Sequence, residues 1–424
     1  MTRIGTGRRL RRGRYGAGVN DLVLRRVVAE GRAVDVSCAG GLVVAVDPAG
    51  TGPAAAHELD LPGRLVLAAP AEPHAHLDKA LTADTVANPD GDLAGAIEAW
   101  ARHHDDRTVA EIVTRASVAL GRLVRSGATA VRTHVDCGPG IDLRAVDALV
   151  EVRERFASVV HLEICALVAP PLGGPDSAAA LTRLDAAIDR GIDLVGGAPY
   201  ADPDPRRATA LLLDRAATAG LDVDLHTDET LDPATVTLAD LAELASGFPG
   251  RITASHCCSL GMLEAPRQAE LAAIVAEAGI GVVTLPATNL FLQSRGRPTA
   301  PPRGLTAIAA LRAAGVAVAA GADNLQDPFC TVGRADPLET AGYLVTAGHV
   351  EAAAAWEMVG PAARDVLGLA PAGPLEGAVA DLLVLPARGV RAAVADAPAE
   401  RMVVRAGRVV ATTTVQVESD PLLG

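Results

Sequence analysis

The chain has 424 residues, half of them apolar, 21% charged and only 2% aromatic, so Ala, Val and Leu must fill a core large enough for one barrel-sized domain plus a smaller element. A formal net charge of −13 argues against a nucleic-acid partner, which needs a clustered basic surface, and no apolar run reaches the ~18 residues of a membrane span. Six cysteines at 38, 137, 165, 257, 258 and 330, with no Cys-x-x-Cys, fit neither a disulfide framework nor a thiolate zinc site and point to a reducing cytoplasm.

In chain order, residues 1–19 carry the one basic cluster, Arg8, Arg9, Arg11, Arg12 and Arg14. No apolar stretch follows these arginines, so a disordered basic tail is expected rather than an export signal. Residues 20–64 hold short β-like runs at 22–24 and 42–46, and residues 375–415 hold similar ones at 380–385 and 402–404. The two chain ends are expected to pair into one small, β-sandwich-like domain flanking the rest.

Residues 65–370 contain eight short apolar segments, at 65–69, 130–135, 162–168, 193–197, 223–226, 252–256, 280–285 and 316–321. After the first gap their spacing is about 30 residues, one strand plus one crossover helix. Ala-rich stretches at 110–126, 143–156, 178–190, 206–219, 265–278 and 304–314 read as those helices, and several stop at a glycine: Gly127, Gly191, Gly220, Gly279 or Gly315. The fold class predicted is α/β, a (β/α)8 TIM barrel.

Ligand-type residues fall at the C-terminal ends of these strands, where such barrels place their chemistry. The run Glu72-Pro73-His74-Ala75-His76-Leu77-Asp78 follows the first segment, and residues i and i+2 of a strand point the same way, so His74 and His76 can face one metal ion. The fifth strand ends in His226 with Glu229 just beyond, the sixth ends in His256, and Asp323 follows the eighth. His134, after the second strand, faces the same mouth as a substrate contact or a support for a ligand. His57, His103, His104, His161 and His349 read as ordinary surface or core histidines.

These segments, with Asn289-Leu290-Phe291-Leu292-Gln293-Ser294-Arg295 and Gly321-Ala322-Asp323-Asn324-Leu325-Gln326-Asp327-Pro328-Phe329, resemble the cytosine deaminase branch of the amidohydrolase superfamily over about residues 65–370. The resemblance implies His74, His76, His226 and Asp323 as ligands of one divalent metal ion per chain, zinc or iron. It makes Glu229 the proton shuttle and His256 a polarising residue beside the attacking hydroxide, so that Glu229, His256 and Asp323 form the catalytic set. Many binuclear relatives bridge two ions with a carboxylated lysine on the fourth strand; the only lysine here is Lys79, after the first, which excludes that bridge.

Cytosine deaminases read the pyrimidine's amide edge with a glutamine after the third strand. Residues 166–172, Ala-Leu-Val-Ala-Pro-Pro-Leu, offer no side-chain amide, so cytosine itself is expected to be a poor substrate. Asn324, Phe329 and His134 are the expected substrate-binding residues, with specificity set by the loops after strands three and eight.

The expected reaction is metal-dependent hydrolytic deamination of a cyclic amidine or N-heteroaromatic amine. The alternative is cleavage of another C–N bond, in an alkylamino-triazine or a cyclic amide. A catalytically silent metal-binding scaffold would be expected to have lost Glu229 or His256, and both are present. The expected partner is a small N-heterocyclic substrate, with no nucleic acid and no membrane, and with homo-oligomerisation left open.

Overall fold

The structure is a computed structural model that describes residues 20–174 and 177–419; the expected basic tail of residues 1–19 lies outside them. The chain begins with five strands, β1 (Asn20–Ala29), β2 (Arg32–Ala39), β3 (Leu42–Pro48), β4 (Ala55–Asp60) and β5 (Leu65–Ala68). The barrel strands follow: β6 (Ala71–Ala75), β7 (Ala130–Cys137), β8 (His161–Val168), β9 (Leu194–Gly197), β10 (Asp222–Thr227), β11 (Ile252–His256), β12 (Gly281–Thr284) and β13 (Val318–Ala320). Three more, β14 (Leu382–Leu385), β15 (Arg401–Arg405) and β16 (Arg408–Thr413), lie near the other end.

β6 to β13 pair in sequence order, each neighbour parallel to the next. The ring closes where the Asp323 N–H donates to the His74 carbonyl at 3.0 Å, beside a parallel bridge between Ala75 and Asp323. Closure therefore sets a ligand-type residue of the last strand directly against the His-x-His of the first. Amphipathic helices cover the outside. In the longest, α2 (Val109–Ser126), Ile112, Ala116, Ala119, Leu120 and Leu123 are buried, Thr108 caps the start and Gly127 ends it.

The two chain ends share one eight-stranded sheet, ordered β16-β15-β14-β5-β1-β2-β3, with β4 pairing β1. Its core is built from Leu22, Leu24, Val27, Val36, Val43, Val66, Leu382 and Val404 among others. One expected barrel strand belongs here. The segment at 65–69 contributes β5, which pairs with β14 through Leu65–Leu385, Val66–Val384 and Leu67–Leu383, so the first barrel strand is Ala71–Ala75. Pro70 separates the two strands because it lacks the N–H that a continuous ladder needs. Among the described residues, no helix is long and apolar enough to cross a membrane.

Candidate metal centre and substrate cavity

The strand ends bring four ligand-type side chains together. His74 Nε2 lies 3.3 Å from His76 Nε2, which lies 3.2 Å from His226 Nε2. Asp323 Oδ1 is 3.2 Å from His76 Nε2 and 3.7 Å from His74 Nε2. Two atoms each about 2.0–2.1 Å from one tetrahedral ion are separated by roughly 3.3–3.4 Å, so these spacings suit a shared ion.

The electrostatics suit it as well. Burial, followed by neighbouring imidazoles or Lys79, drives the pKa values of His74, His76 and His226 well below normal, leaving neutral rings with lone pairs to give. Neither oxygen of the buried Asp323 carboxylate has a hydrogen-bond partner among the described residues. Buried polar groups are ordinarily paired, and a cation at this position is the partner that fits. Three neutral imidazoles and one carboxylate would leave a divalent ion net positive.

Surrounding groups fix the rings. Ser255 Oγ donates to Asp224 Oδ1 at 2.7 Å, so it accepts from His74 Nδ1 at 2.9 Å, and His74 is left with its Nε2 lone pair aimed at the cluster. Glu72, buried with its pKa raised by burial to about 8, accepts from the His74 and Ala322 N–H groups and ties the ends of β6 and β13 together. At Gly321 a Cβ would lie 2.4 Å from Glu72 Oε1, which explains the glycine before the ligand segment. His256, Asp323 and Asp228 adopt left-handed backbone conformations, with φ of 71°, 65° and 49°, uncommon for non-glycine residues although Asp and His enter that region more readily than most.

Glu229 and His256 sit beside the cluster. Glu229 Oε1 is 3.5 Å from His256 Nδ1, and Tyr200 Oη donates toward Glu229 Oε2 at 3.4 Å. Burial and then the Asp323 charge push the Glu229 pKa well up, whereas burial lowers that of His256 to about 4. In the orientation assigned to its amide, Asn289 donates to His256 Nδ1 at 3.1 Å, leaving the ring proton on Nε2, 3.9 Å from Asp323 Oδ2.

A cavity of about 590 Å³ opens over this floor, lined by His76, His226, Glu229, His256, Asp323, Asn324 and Phe329. Asn324 and Phe329 thus stand where the sequence reading put them, although Asn324 Nδ2 is engaged by Asp327 Oδ2 at 2.9 Å. His134 does not line the cavity. It is fully buried beneath the cluster, stacked on His74 with ring centroids 3.9 Å apart and Nε2 3.5 Å from Asp224 Oδ2, where it can support a ligand ring rather than touch substrate.

The loop after β8 supplies Ala169 and Pro170 as expected, but the sequence reading missed much of the wall. Helix α1 (Leu93–Ala101) adds Leu93, Ile97 and Trp100; Tyr200 comes from the loop after β9 and Asp136 from the end of β7. Asp136 and Tyr200 had a readable signal, since each sits at or just after a barrel strand's C-terminal end. Helix α1 had none, because it follows no barrel strand end and carries no ligand-type residue at a telling spacing.

Comparison with known proteins agrees with this geometry. The profile described as the amidohydrolase family matches residues 106–411. A pterin deaminase from Rhizobium rhizogenes is 33% identical over 383 residues, covering 89% of this chain and 87% of the relative. The crystal structure of 5-methylcytosine deaminase from Klebsiella pneumoniae liganded with 5-fluorocytosine superposes with a TM-score of 0.84 at 28% identity, covering 95% and 99% of the two chains. N-isopropylammelide isopropylaminohydrolase from Burkholderia multivorans gives 0.77 at 26% identity, with 92% and 98% covered. The chain belongs to the amidohydrolase family and is a metal-dependent hydrolase acting on C–N bonds.

Proposed function

Proceeding from that family membership, we propose that the protein catalyses hydrolytic deamination of an N-heteroaromatic amine or cyclic amidine, with one divalent ion held by His74, His76, His226 and Asp323. The observation that carries the reading is the convergence of three Nε2 atoms and an unpartnered Asp323 carboxylate on the floor of a largely apolar cavity that also exposes Glu229 and His256. When bound, such an ion supplies the Lewis acidity that makes water nucleophilic near neutral pH.

The chain's own groups account for the proton traffic. Glu229, steadied by Tyr200 and buried against the floor, takes a proton from the attacking water and delivers it to the ring nitrogen or the leaving amine. Its raised pKa makes the protonated form accessible for that second transfer. His256, neutral and held by Asn289, presents an N–H toward the cluster and stabilises charge developing on the attacking oxygen. Phe329 and Trp100 provide faces for a flat ring.

The test is a screen of the metal-loaded protein against heterocyclic amines, including pterin, 5-methylcytosine, cytosine and N-isopropylammelide, with ammonia and free alkylamine measured separately. Ammonia release from a heterocycle supports the reading, with cytosine the weakest substrate. Alkylamine release without ammonia supports the second reading, C–N cleavage at an alkylamino substituent, which the likeness to the isopropylammelide enzyme and the apolar wall of Leu93, Ile97, Leu167 and Val168 favour. Neither product from any of these compounds would overturn both.

A further inference from the structure

The cavity wall carries an ionised pair, Lys79 and Asp136, that this chemistry does not use. Asp136 is the next-to-last residue of β7, three strands round the ring from the β10 strand of His226. Its Oδ1 accepts from Lys79 Nζ at 2.9 Å and its Oδ2 from Trp100 Nε1 at 2.6 Å, with His104 Nε2 3.7 Å from Oδ2. Its backbone N–H donates to Asp78 Oδ2 at 3.0 Å. Although burial opposes it, Lys79 holds the Asp136 carboxyl well below the usual carboxylate range.

Lys79 is buried, and its Nζ also lies 3.4 Å from Asp78 Oδ1, 3.3 Å from His76 Nδ1 and 5.9 and 5.8 Å from the ring centroids of Trp100 and Phe329. Asp136 and Asp78 orient the ammonium, whereas His76 Nδ1, which keeps its proton when Nε2 serves as a ligand, takes none of its hydrogens. The Asp136 carboxylate can accept further hydrogen bonds. Each oxygen has lone-pair capacity beyond its present donor, and the side chain remains 16% exposed on a wall it shares with Leu93, Ile97, Trp100 and Leu167. Held in place by Lys79 and Trp100, it is a fixed, charged acceptor in a largely apolar cavity, where a hydrogen bond from a bound donor is strong.

We propose that Asp136 is a specificity residue: it accepts a hydrogen bond from a substrate N–H other than the leaving amine, selecting heterocycles that carry such a donor over N-alkylated rings. The inference rests on the deamination reading and places an amide-edge reader on β7, where, among the described residues, the loop after β8 lines the cavity with Ala169 and Pro170. Asp136 takes no part in the bond-breaking step. Its contribution is to substrate binding and orientation.

The test compares kcat/KM for 5-methylcytosine with 1,5-dimethylcytosine, and for pterin with 3-methylpterin, in the wild type, Asp136→Ala and Asp136→Asn. A hydrogen bond to a charged acceptor predicts a wild-type penalty for N-methylation of about ten- to a hundredfold in at least one pair. That penalty should fall to within about threefold in Asp136→Ala, mainly through KM for the N–H substrate, with Asp136→Asn intermediate.

A purely structural role would slow both members of a pair equally, so an unchanged ratio overturns the proposal, as does a wild type without a penalty in either pair. Should Asp136→Ala fail to fold, the near-isosteric Asp136→Asn answers the same question. Wild-type inactivity on every heterocycle would sink the deamination reading itself, an outcome distinct from an active enzyme with an unchanged ratio.

Discussion

Two buried aspartates show how the two parts of this molecule differ. Asp35, in the small sheet, is fully buried, yet its carboxylate accepts from Arg25 Nη1 at 3.0 Å and from the N–H groups of Arg26, Gly50 and Gly52 at 2.9, 3.0 and 3.2 Å. Asp323, at the barrel mouth, is just as buried and accepts from no described residue. The Asp35 carboxyl is held below its usual range, its backbone and Arg25 hydrogen bonds outweighing burial, whereas burial raises that of Asp323. A buried charge left without partners in the fold is placed for something the chain binds.

The largest effect is expected at Asp323. Asp323→Ala should abolish metal retention and lower turnover by at least about 10³-fold, several kcal/mol of lost transition-state stabilisation, while the circular dichroism spectrum stays native. Normal activity in that variant would remove Asp323 from the site. Next, Glu229→Gln should keep its metal and lose about 10²- to 10⁴-fold in kcat; metal loss, read by elemental analysis, would make Glu229 a ligand instead.

Ser255→Ala sharpens the picture at smaller scale. It removes the acceptor for His74 Nδ1 and a donor to Asp224, so metal affinity measured by chelator competition should fall about 10- to 100-fold, and an unchanged affinity would mean that the His74 tautomer is fixed by other groups. Asp35→Asn should have the smallest effect and touch stability alone, lowering it by about 1–3 kcal/mol at neutral pH.

The sign of its pH dependence follows from the depressed folded pKa. The stability that Asp35 contributes is present above the unfolded value near 4 and is lost as pH falls through the lower folded value. Thermal denaturation should therefore show wild type and Asp35→Asn converging in acid, with activity per loaded chain equal throughout. Divergence in acid would contradict the assignment.

The periodic parts of the structure were legible from the sequence. Strand-length apolar segments, Ala-rich helices and stopping glycines specify the barrel because each unit repeats the same local physics, and the strand-end histidines follow from that register. The first strand was misplaced because 65–69 reads equally well as a strand of either sheet; its partner, β14, comes from more than 300 residues downstream, a pairing that no local pattern announces. His134 was expected at the mouth because it ends a barrel strand. Its burial under His74 depends on which way each side chain leaves the strand, and that is set by the closed ring. The Lys79–Asp136–Trp100 corner escaped for a similar reason: three segments distant in sequence meet there, and no local pattern announces that they do.

Metal analysis of the purified wild-type chain decides whether the three histidines and Asp323 hold an ion. Close to one divalent ion per chain, zinc or iron, is expected, retained in Glu229→Gln and absent from Asp323→Ala. Two ions per chain, or one ion held equally well without the Asp323 carboxylate, would contradict that expectation.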